Sequence, residues 1–573
     1  MDRHEQRIVR FLARPASYPH AAATVARRET HVSHVFLAGP FAYKLKKPVT
    51  FPFLDASTLA RRRRFCELEL SLNRRLAPAV YLGLAPIVET PRGLRLGPST
   101  RPGGLARDAA RRDVPGERQR SGGVIEWVVQ MRRLPEERML DRLVASRRVT
   151  RRDMARIADR LTRFFRSAAR SRPISRYGMP AQVAALVLGN LEECRPFVGR
   201  LFSESDYLLL QTAYQQYLAL QEPLLAQRVR QGRIIDGHGD LRCENICLAQ
   251  PAPPSKLKRL AAPRASPAVG WASRGVSIFD CVEFQPAFRC GDMANDFSFL
   301  VMDLEFRGRT DLADALAGQY QRRLGDATFG RVLPFYKCHR SLVRGKVRAL
   351  AWSQHPRTPQ GLRVRALSRR HFRLAVRYAR AFAPPRLVVV GGLIGTGKST
   401  LARSLARALG ASWLRTDEIR LREFARARRP GQAFAEGLYA PHISELVYQR
   451  LLRRAEALVR EGRSVVCDGT FSKAAGRSAL RAIARRHGAS FHFFECVVPR
   501  AVALRRVARR YAARADLSEA RPDHYDRLRA GFEPRPRRGW PRRDWTRLSD
   551  DRAPRATAAA ALDALRRAWL ARA

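Results

Sequence analysis

The stretch that most constrains the fold is Leu387 to Leu401, LVVVGGLIGTGKSTL. Its apolar run Leu387–Val390 reads as a strand buried on both faces, since a strand with one wet face alternates. A glycine-rich turn follows, and Lys398-Ser399-Thr400 opens a helix. Gly392, Gly397, Lys398 and Ser399 meet the spacing G-x-x-x-x-G-K-[ST]. Glycines let such a loop curl until successive backbone N–H groups converge on one anion. The helix adds the positive end of its dipole. Gly392, Gly395, Thr396, Gly397, Lys398, Ser399 and Thr400 are therefore the candidate phosphate cradle. Lys398 would reach the β- and γ-phosphates, and the Ser399 hydroxyl would ligate Mg²⁺. A chance lysine in a glycine turn does not account for the strand before, the helix after and the full spacing. An ATP- or GTP-binding domain is expected to begin near residue 386, just past the breaker Pro384-Pro385.

A chain of 573 residues has room for about three or four domain-sized units. No apolar run approaches the ~18 residues of a membrane span, and the N-terminus lacks the apolar core of a secretory signal. A cytoplasmic protein with no membrane partner is the expectation. None of the nine cysteines stands in a C-x-x-C pair, which suits buried free thiols in a reducing compartment. The formal charge of +57 would suggest a nucleic-acid partner. Of the 108 basic residues, however, 99 are Arg and nine are Lys, and the arginines are scattered through nearly every helical stretch. That scatter favours a compositional bias over a nucleic-acid footprint, so such a partner is left open but not favoured. The few retained lysines mark places where a slim ammonium is needed, Lys398 among them.

Along the chain, residues 1–30 read as an amphipathic helix and a loop. Thr30–Val49 alternates about Gly39-Pro40 as a β-hairpin carrying Lys44, Lys46 and Lys47. A helix over about 57–76 holds Glu67 and Glu69. One or two strands follow over 85–96, then a Pro/Gly/Arg-rich loop over 98–123 and a strong strand at Val124–Met131. Residues 135–230 are helical in pattern, and 249–275 form a Pro/Ala-rich insertion, looped or disordered. A strand at Val276–Cys281 precedes more helices, up to residue 383.

His238-Gly239-Asp240-Leu241-Arg242-Cys243-Glu244-Asn245 fits H-x-D-x-x-x-x-N, and Ile278-Phe279-Asp280 sets an acid at a strand end. Phosphoryl transfer needs an Asp to accept the proton of the attacking hydroxyl. An Asn and a second Asp hold Mg²⁺, and a strand Lys braced by a helix Glu clamps the phosphates. Lys44, Glu69 or Glu67, Asp240, Asn245 and Asp280 supply these types in order.

HGDLRCENI, FD and GDMANDFSFL resemble the aminoglycoside phosphotransferase branch of the protein-kinase-like superfamily. With AYKLKKP, FCELELSLNRRL and MRRLPEERML, nearly the whole chain resembles bacterial fusions of such a domain with a P-loop kinase, or AAA-type ATP-binding, domain. The resemblance implies that Asp240 is the catalytic base and that Asn245 and Asp280 are metal ligands. Lys44 would be the phosphate clamp, although Lys46 shares its strand face. Val124–Met131 would touch adenine, and Asp292 and Asp296 would be structural. Two departures leave room for a non-catalytic kinase fold. No glycine-rich loop precedes Lys44, only Gly39-Pro40, and the 249–275 insertion separates the two metal ligands.

After the phosphate loop, Asp417 and Arg420 follow a short strand. The segment is similar to polynucleotide kinases, zeta toxins and chloramphenicol phosphotransferases, which implies that Asp417 is the base and Arg420 a substrate or phosphate contact. A helix N-cap role for Asp417 weighs nearly as much, and the two roles are compatible. Ser464–Phe471, SVVCDGTF, is a buried strand carrying Asp468, where Walker-B-type acids hold the Mg²⁺ shell. In Leu504–Arg514, Arg505 and Arg509 share a helix face, and resemblance to small kinases with an arginine-bearing lid implies a role at the transferring phosphoryl group.

Two domains are expected. Residues 1–383 form an α+β protein-kinase-like domain, with a small lobe to about 131 and a helical lobe beyond. Residues 384–573 form an α/β P-loop NTPase domain, a parallel sheet flanked by helices. The expected chemistry is ATP- and Mg²⁺-dependent transfer of a γ-phosphoryl group to a hydroxyl of a small-molecule acceptor. The alternatives are a polynucleotide end kinase and an ATP-binding regulator with a non-catalytic N-terminal domain. Fold resemblance does not make aminoglycosides the acceptor.

Overall fold

The structure is a computed structural model, described for residues 3–51, 54–100, 123–248, 275–425, 436–513, 521–536, 540–549 and 553–570. The loop expected at 98–123 and the insertion expected at 249–275 lie almost wholly outside the described residues. The chain forms two compact units: residues 1–178 with 228–336, and residues 179–227 with 337–573. Unit 1 is α+β and unit 2 is α/β.

Unit 1 is built on a six-stranded antiparallel sheet. Its strands are β1 (Val25–Glu29), β2 (Ser33–Ala38), β3 (Phe41–Lys46), β4 (Tyr81–Thr90), β5 (Gly93–Leu96) and β6 (Val124–Arg132), in the order β1-β2-β3-β6-β4-β5. Residues 25–29, expected as loop, form the edge strand β1. Alternation along β3 divides two cores. Tyr43 and Leu45 join Ile8, Val9 and Leu12 of the Arg3–Leu12 helix on one face. On the other, Ala42 joins Cys66 and Leu70 of the Leu59–Arg74 helix. The rest of unit 1 is helical, with three short ladders, one of them the hairpin of Thr50–Phe51 with Leu54–Asp55. β7 (Ile234–Asp236) pairs with β10 (Cys290–Asp292), and β8 (Ile246–Leu248) pairs with β9 (Val276–Ile278), both antiparallel.

Unit 2 holds a five-stranded, all-parallel sheet of β11 (Arg386–Gly392), β12 (Ser412–Arg415), β13 (Val465–Asp468), β14 (Ser490–Val497) and β15 (Trp545–Ser549). The order is β12-β13-β11-β14-β15, and every residue of β11 is buried. The Lys398–Leu409 and Pro554–Leu570 helices share one core with the sheet. The Pro441–Arg460 and Ala474–Arg486 helices cover the other face. The topology puts the C-terminal end of β11, between β13 and β14, where open α/β sheets bind ligands.

The break at Pro384-Pro385 does not divide the compact units, because earlier helical residues pack on this sheet. Leu220 lies in the sheet's core. The Gln216 amide donates to Ser464 Oγ at 2.5 Å, and Arg566 Nε donates to the Leu220 carbonyl at 2.7 Å. All nine cysteines are free and buried, as expected. Among the described residues no helix is long and apolar enough to cross a membrane.

Candidate functional site

In unit 1, Lys44 and Lys46 stand two apart on β3, so both face the Leu59–Arg74 helix. Thr58 caps that helix, its hydroxyl accepting from the Arg61 N–H at 3.3 Å. Glu69 is fully buried between the lysines. Lys44 Nζ lies 2.8 Å from Glu69 Oε1, and Lys46 Nζ lies 2.5 Å from Oε2. Lys44 also reaches Asp280 Oδ1 at 2.8 Å, and Lys46 reaches Glu283. Glu67 instead pairs with Arg63 one turn back, so the brace is Glu69. Burial alone would raise the Glu69 carboxyl, but the two ammonium groups outweigh it and hold it below the ordinary carboxylate range. Burial likewise opposes the charge on Lys44, and the carboxylates of Asp280 and Glu69 reverse this and raise it.

The loop after β7 carries the other candidates. Asp296 accepts from the backbone N–H groups of His238 at 2.7 Å and Gly239 at 2.9 Å. Asp292 caps the Met293–Phe306 helix and is gripped by the buried Arg228. Asn245 Nδ2 donates to Asp240 Oδ2 at 3.0 Å. The β8–β9 ladder then draws in Asp280, since the Phe279 N–H donates to the Asn245 carbonyl at 3.0 Å. Asp280 itself has φ +63°, a left-handed conformation that costs a non-glycine residue energy and here directs it to Lys44. The turn between β1 and β2 is Thr30–Val32, without glycine; Gly39 sits between β2 and β3.

One feature of this loop had no signal in the motif. Arg242 grips Asp240 as a fork, Nε to Oδ1 and Nη2 to Oδ2, both at 2.7 Å. Arg242 also pairs with Glu244.

In unit 2, the loop from Gly392 to Gly397 curls at the C-terminal end of β11. Gly392 has φ +139°, and a Cβ there would lie 2.3 Å from the Cys496 carbonyl oxygen. Gly395 has φ +75°, and its Cβ would lie 2.5 Å from the Ala503 carbonyl oxygen. Lys398 folds back to donate to the Leu393 carbonyl at 2.7 Å. Burial lowers the Lys398 ammonium, Asp468 and Asp417 act to raise it, and Arg510 opposes them. Asp468 ends β13 directly beside Val390 of β11. Burial raises its carboxyl, while Lys398 and a hydrogen bond from the Ser399 hydroxyl act to lower it.

Ser399 and Asp468 therefore stand together, a hydroxyl and a carboxylate suited to a hard divalent cation. Among the described residues no cluster of three or more His, Cys, Asp or Glu side chains forms a metal cage. A cation on the Ser399–Asp468 pair would draw its remaining oxygens from phosphates and water, the usual way Mg²⁺ is held.

Arg415, not Asp417, is the N-cap of the Thr416–Phe424 helix, so the capping alternative for Asp417 falls away. Asp417 Oδ1 accepts from Arg420 Nη1 at 2.9 Å. The Arg420 guanidinium lies over the Tyr439 ring at 4.5 Å. Arg415 lies 3.5 Å from Asp468 Oδ2 through its Nε.

On the Arg500–Ala513 helix, Ala503 and Val507 pack with Ile394 of the phosphate loop. Arg510, one turn past Val507, is half-buried, and its charge is felt at Lys398. Arg505 and Arg509 are exposed on the other side, so the helix offers Arg510 to this site where spacing alone suggested Arg509. Lys473, without a role in the sequence, pairs with Glu533 at 3.3 Å near the surface.

A family model described as an AAA domain matches residues 387–535. Solved structures give looser likenesses. A choline/ethanolamine kinase family protein from Mesorhizobium loti is 12% identical, covering 65% of this chain and 99% of its own, at TM-score 0.33. The Mycobacterium tuberculosis APS kinase CysC in complex with AMPPNP and APS is 24% identical, covering 32% of this chain and 98% of its own, at TM-score 0.25. At these scores neither carries an argument about this chain. Relatives in sequence agree over a longer stretch. An uncharacterized protein of Mycobacterium tuberculosis, Rv2004c, and one of Mycobacterium bovis, Mb2027c, are each 33% identical over 467 residues, 81% of this chain and 81% of the relative. At that identity and coverage, the chain belongs to the same family as these uncharacterized mycobacterial proteins.

Proposed function

We propose that the chain is an ATP- and Mg²⁺-dependent phosphotransferase whose unit 2 moves a γ-phosphoryl group to a hydroxyl of a small-molecule acceptor. The observation that carries this is the convergence on Lys398 at the end of β11: Asp468 with Ser399, Asp417 with Arg420, and Arg510. A nucleotide with its divalent cation supplies the phosphoryl group and neutralises charge on it. The protein's part is positioning and electrostatics. The loop N–H groups and Lys398 hold the phosphates, and Ser399 and Asp468 orient the cation. Asp417, its Oδ1 held by Arg420, takes the proton of the acceptor hydroxyl on its other oxygen. Arg510 stabilises charge on the group in transit.

The test is a metabolite-mixture screen for ATP-dependent gain of one phosphate, run on wild type, Lys398→Ala, Asp417→Ala and Asp240→Asn. Loss in the first two variants with the fold intact supports the reading. Full activity in Asp417→Ala removes that residue as the base.

For unit 1 the same chemistry is proposed on Asp240, Asn245, Asp280, Lys44 and Glu69. A second reading, nucleotide binding without transfer, is favoured by Arg242, which occupies both oxygens of Asp240. Acceptor-dependent turnover that survives Lys398→Ala and is lost in Asp240→Asn would decide for transfer.

A further inference from the structure

We infer that the acceptor of unit 2 is a small hydroxylated acid, whose oxyanion docks on the Nε/Nη2 edge of Arg420 and so delivers a neighbouring hydroxyl to Asp417. The inference rests on the phosphotransferase reading above and names its substrate class.

Arg420 is only 7% exposed. Its guanidinium has three sides to account for. The face lies over Tyr439, 4.5 Å from the ring centroid, and Nη1 donates to Asp417 Oδ1 at 2.9 Å. The remaining edge is the one that grips carboxylate or phosphate with two parallel N–H groups. On that edge Nε is buried and, among the described residues, has no hydrogen-bond partner. A buried N–H without an acceptor is costly, and an oxyanion on that edge relieves the cost. A neutral polyol offers weaker acceptors and no charge.

Position makes this edge part of an acceptor site. Arg420 and Asp417 sit on the same turn of the Thr416–Phe424 helix, which starts from the C-terminal end of β12. The charges of Arg420, Asp417 and Asp468 all act on the partly buried Tyr448, and Asp417 and Asp468 act on Lys398. Because Arg420 Nη1 touches Asp417 Oδ1 at 2.9 Å, an anion on the other edge of the guanidinium is within one small molecule's span of the proposed base. Carboxylate and phosphate share the required chemistry. The short Asp417–Arg420 contact calls for an acceptor whose hydroxyl lies close to its acid group.

The experiment uses the full chain with ATP and Mg²⁺. Glycerate and gluconate, glycerol 3-phosphate and glucose 6-phosphate, and the neutral glycerol and glucose are scored for phosphorylated product by mass. Binding of a non-hydrolysable ATP analogue is measured in parallel. The expected result is product from at least one acid, a rate for its neutral counterpart lower by about a hundredfold or more, and a carboxylate-against-phosphate preference that identifies the anion. Arg420→Lys, which keeps the charge and loses the fork, should raise KM for the acid at least about tenfold and leave analogue binding unchanged. Analogue binding with equal turnover of neutral and acidic acceptors, or with no acid phosphorylated, overturns the inference and leaves nucleotide binding standing. Absence of analogue binding overturns the phosphotransferase reading itself.

Discussion

Arg242 and Asp240 are joined by two parallel hydrogen bonds, each 2.7 Å, in the loop that also presents Asn245. A carboxylate held by a fork is well oriented, but both of its oxygens are occupied. If the fork restrains the proposed base, Arg242→Ala in a Lys398→Ala background should raise acceptor-dependent ATP turnover by about tenfold, against the 10²–10⁴ typical of acid–base catalysis. A coupled ADP assay reads it. A fall in turnover would mean that the fork positions Asp240 for work.

Glu69 carries the charge balance of the small lobe. Glu69→Gln leaves Lys44 and Lys46 with less counter-charge in a dry site, and should destabilise unit 1 by about 3–5 kcal/mol. The midpoint of urea unfolding, followed by fluorescence, checks this. The same residue sets an acid limit. Its folded pKa lies below its unfolded one, so the unfolded chain takes up more protons in the window between them. The stability it contributes is fully present above the ordinary carboxylate range and is lost as pH falls through that window. In Glu69→Gln, that part of the acid dependence should disappear.

Asp468 has the opposite sign, since burial holds its proton on to higher pH than an ordinary aspartate. Where that proton is bound, a cation must displace it. Mg²⁺-dependent nucleotide binding should therefore weaken as pH falls toward the carboxylate range and release protons as it forms. Calorimetry in buffers of different ionisation enthalpy measures the release, and Asp468→Asn should abolish it.

Gly395 is where the phosphate loop meets the Arg500–Ala513 helix. Gly395→Ala sets a methyl 2.5 Å from the Ala503 carbonyl oxygen and strains a backbone at φ +75°. Nucleotide affinity should drop at least about tenfold, a cost of about 1.4 kcal/mol or more. Titration with a fluorescent ATP analogue gives the number.

Patterns that are local in sequence were legible before the structure. The run Leu387–Val390 announces a buried central strand by continuity alone, and the β2–β3 hairpin follows from alternation about Gly39-Pro40. The order of Lys44, Glu69, Asp240, Asn245 and Asp280 anticipated side chains that the fold links through contacts and backbone ladders. Features fixed by long-range packing were not legible. Helical spacing finds two arginine faces on Arg500–Ala513, but only the contact of Ala503 and Val507 with Ile394 says which one meets the loop. Nothing in the composition of residues 179–227 says that they pack on a sheet that begins at Arg386. Arg242 looked like one arginine among 99.

The buried thiols make the chain its own recorder of opening. Cys66, Cys243, Cys247, Cys281 and Cys290 lie in unit 1, and Cys194, Cys338, Cys467 and Cys496 in unit 2, each out of reach of a water-borne alkylating reagent until its surroundings part. Cys467 immediately precedes Asp468, and the Cys496 carbonyl abuts Gly392. A ligand that tightens the phosphate loop therefore slows alkylation at those two strands first. A ligand of the Asp240 site slows it at Cys243 and Cys281. Mass-resolved labelling of the native protein thereby assigns any effector to its unit without a single introduced residue.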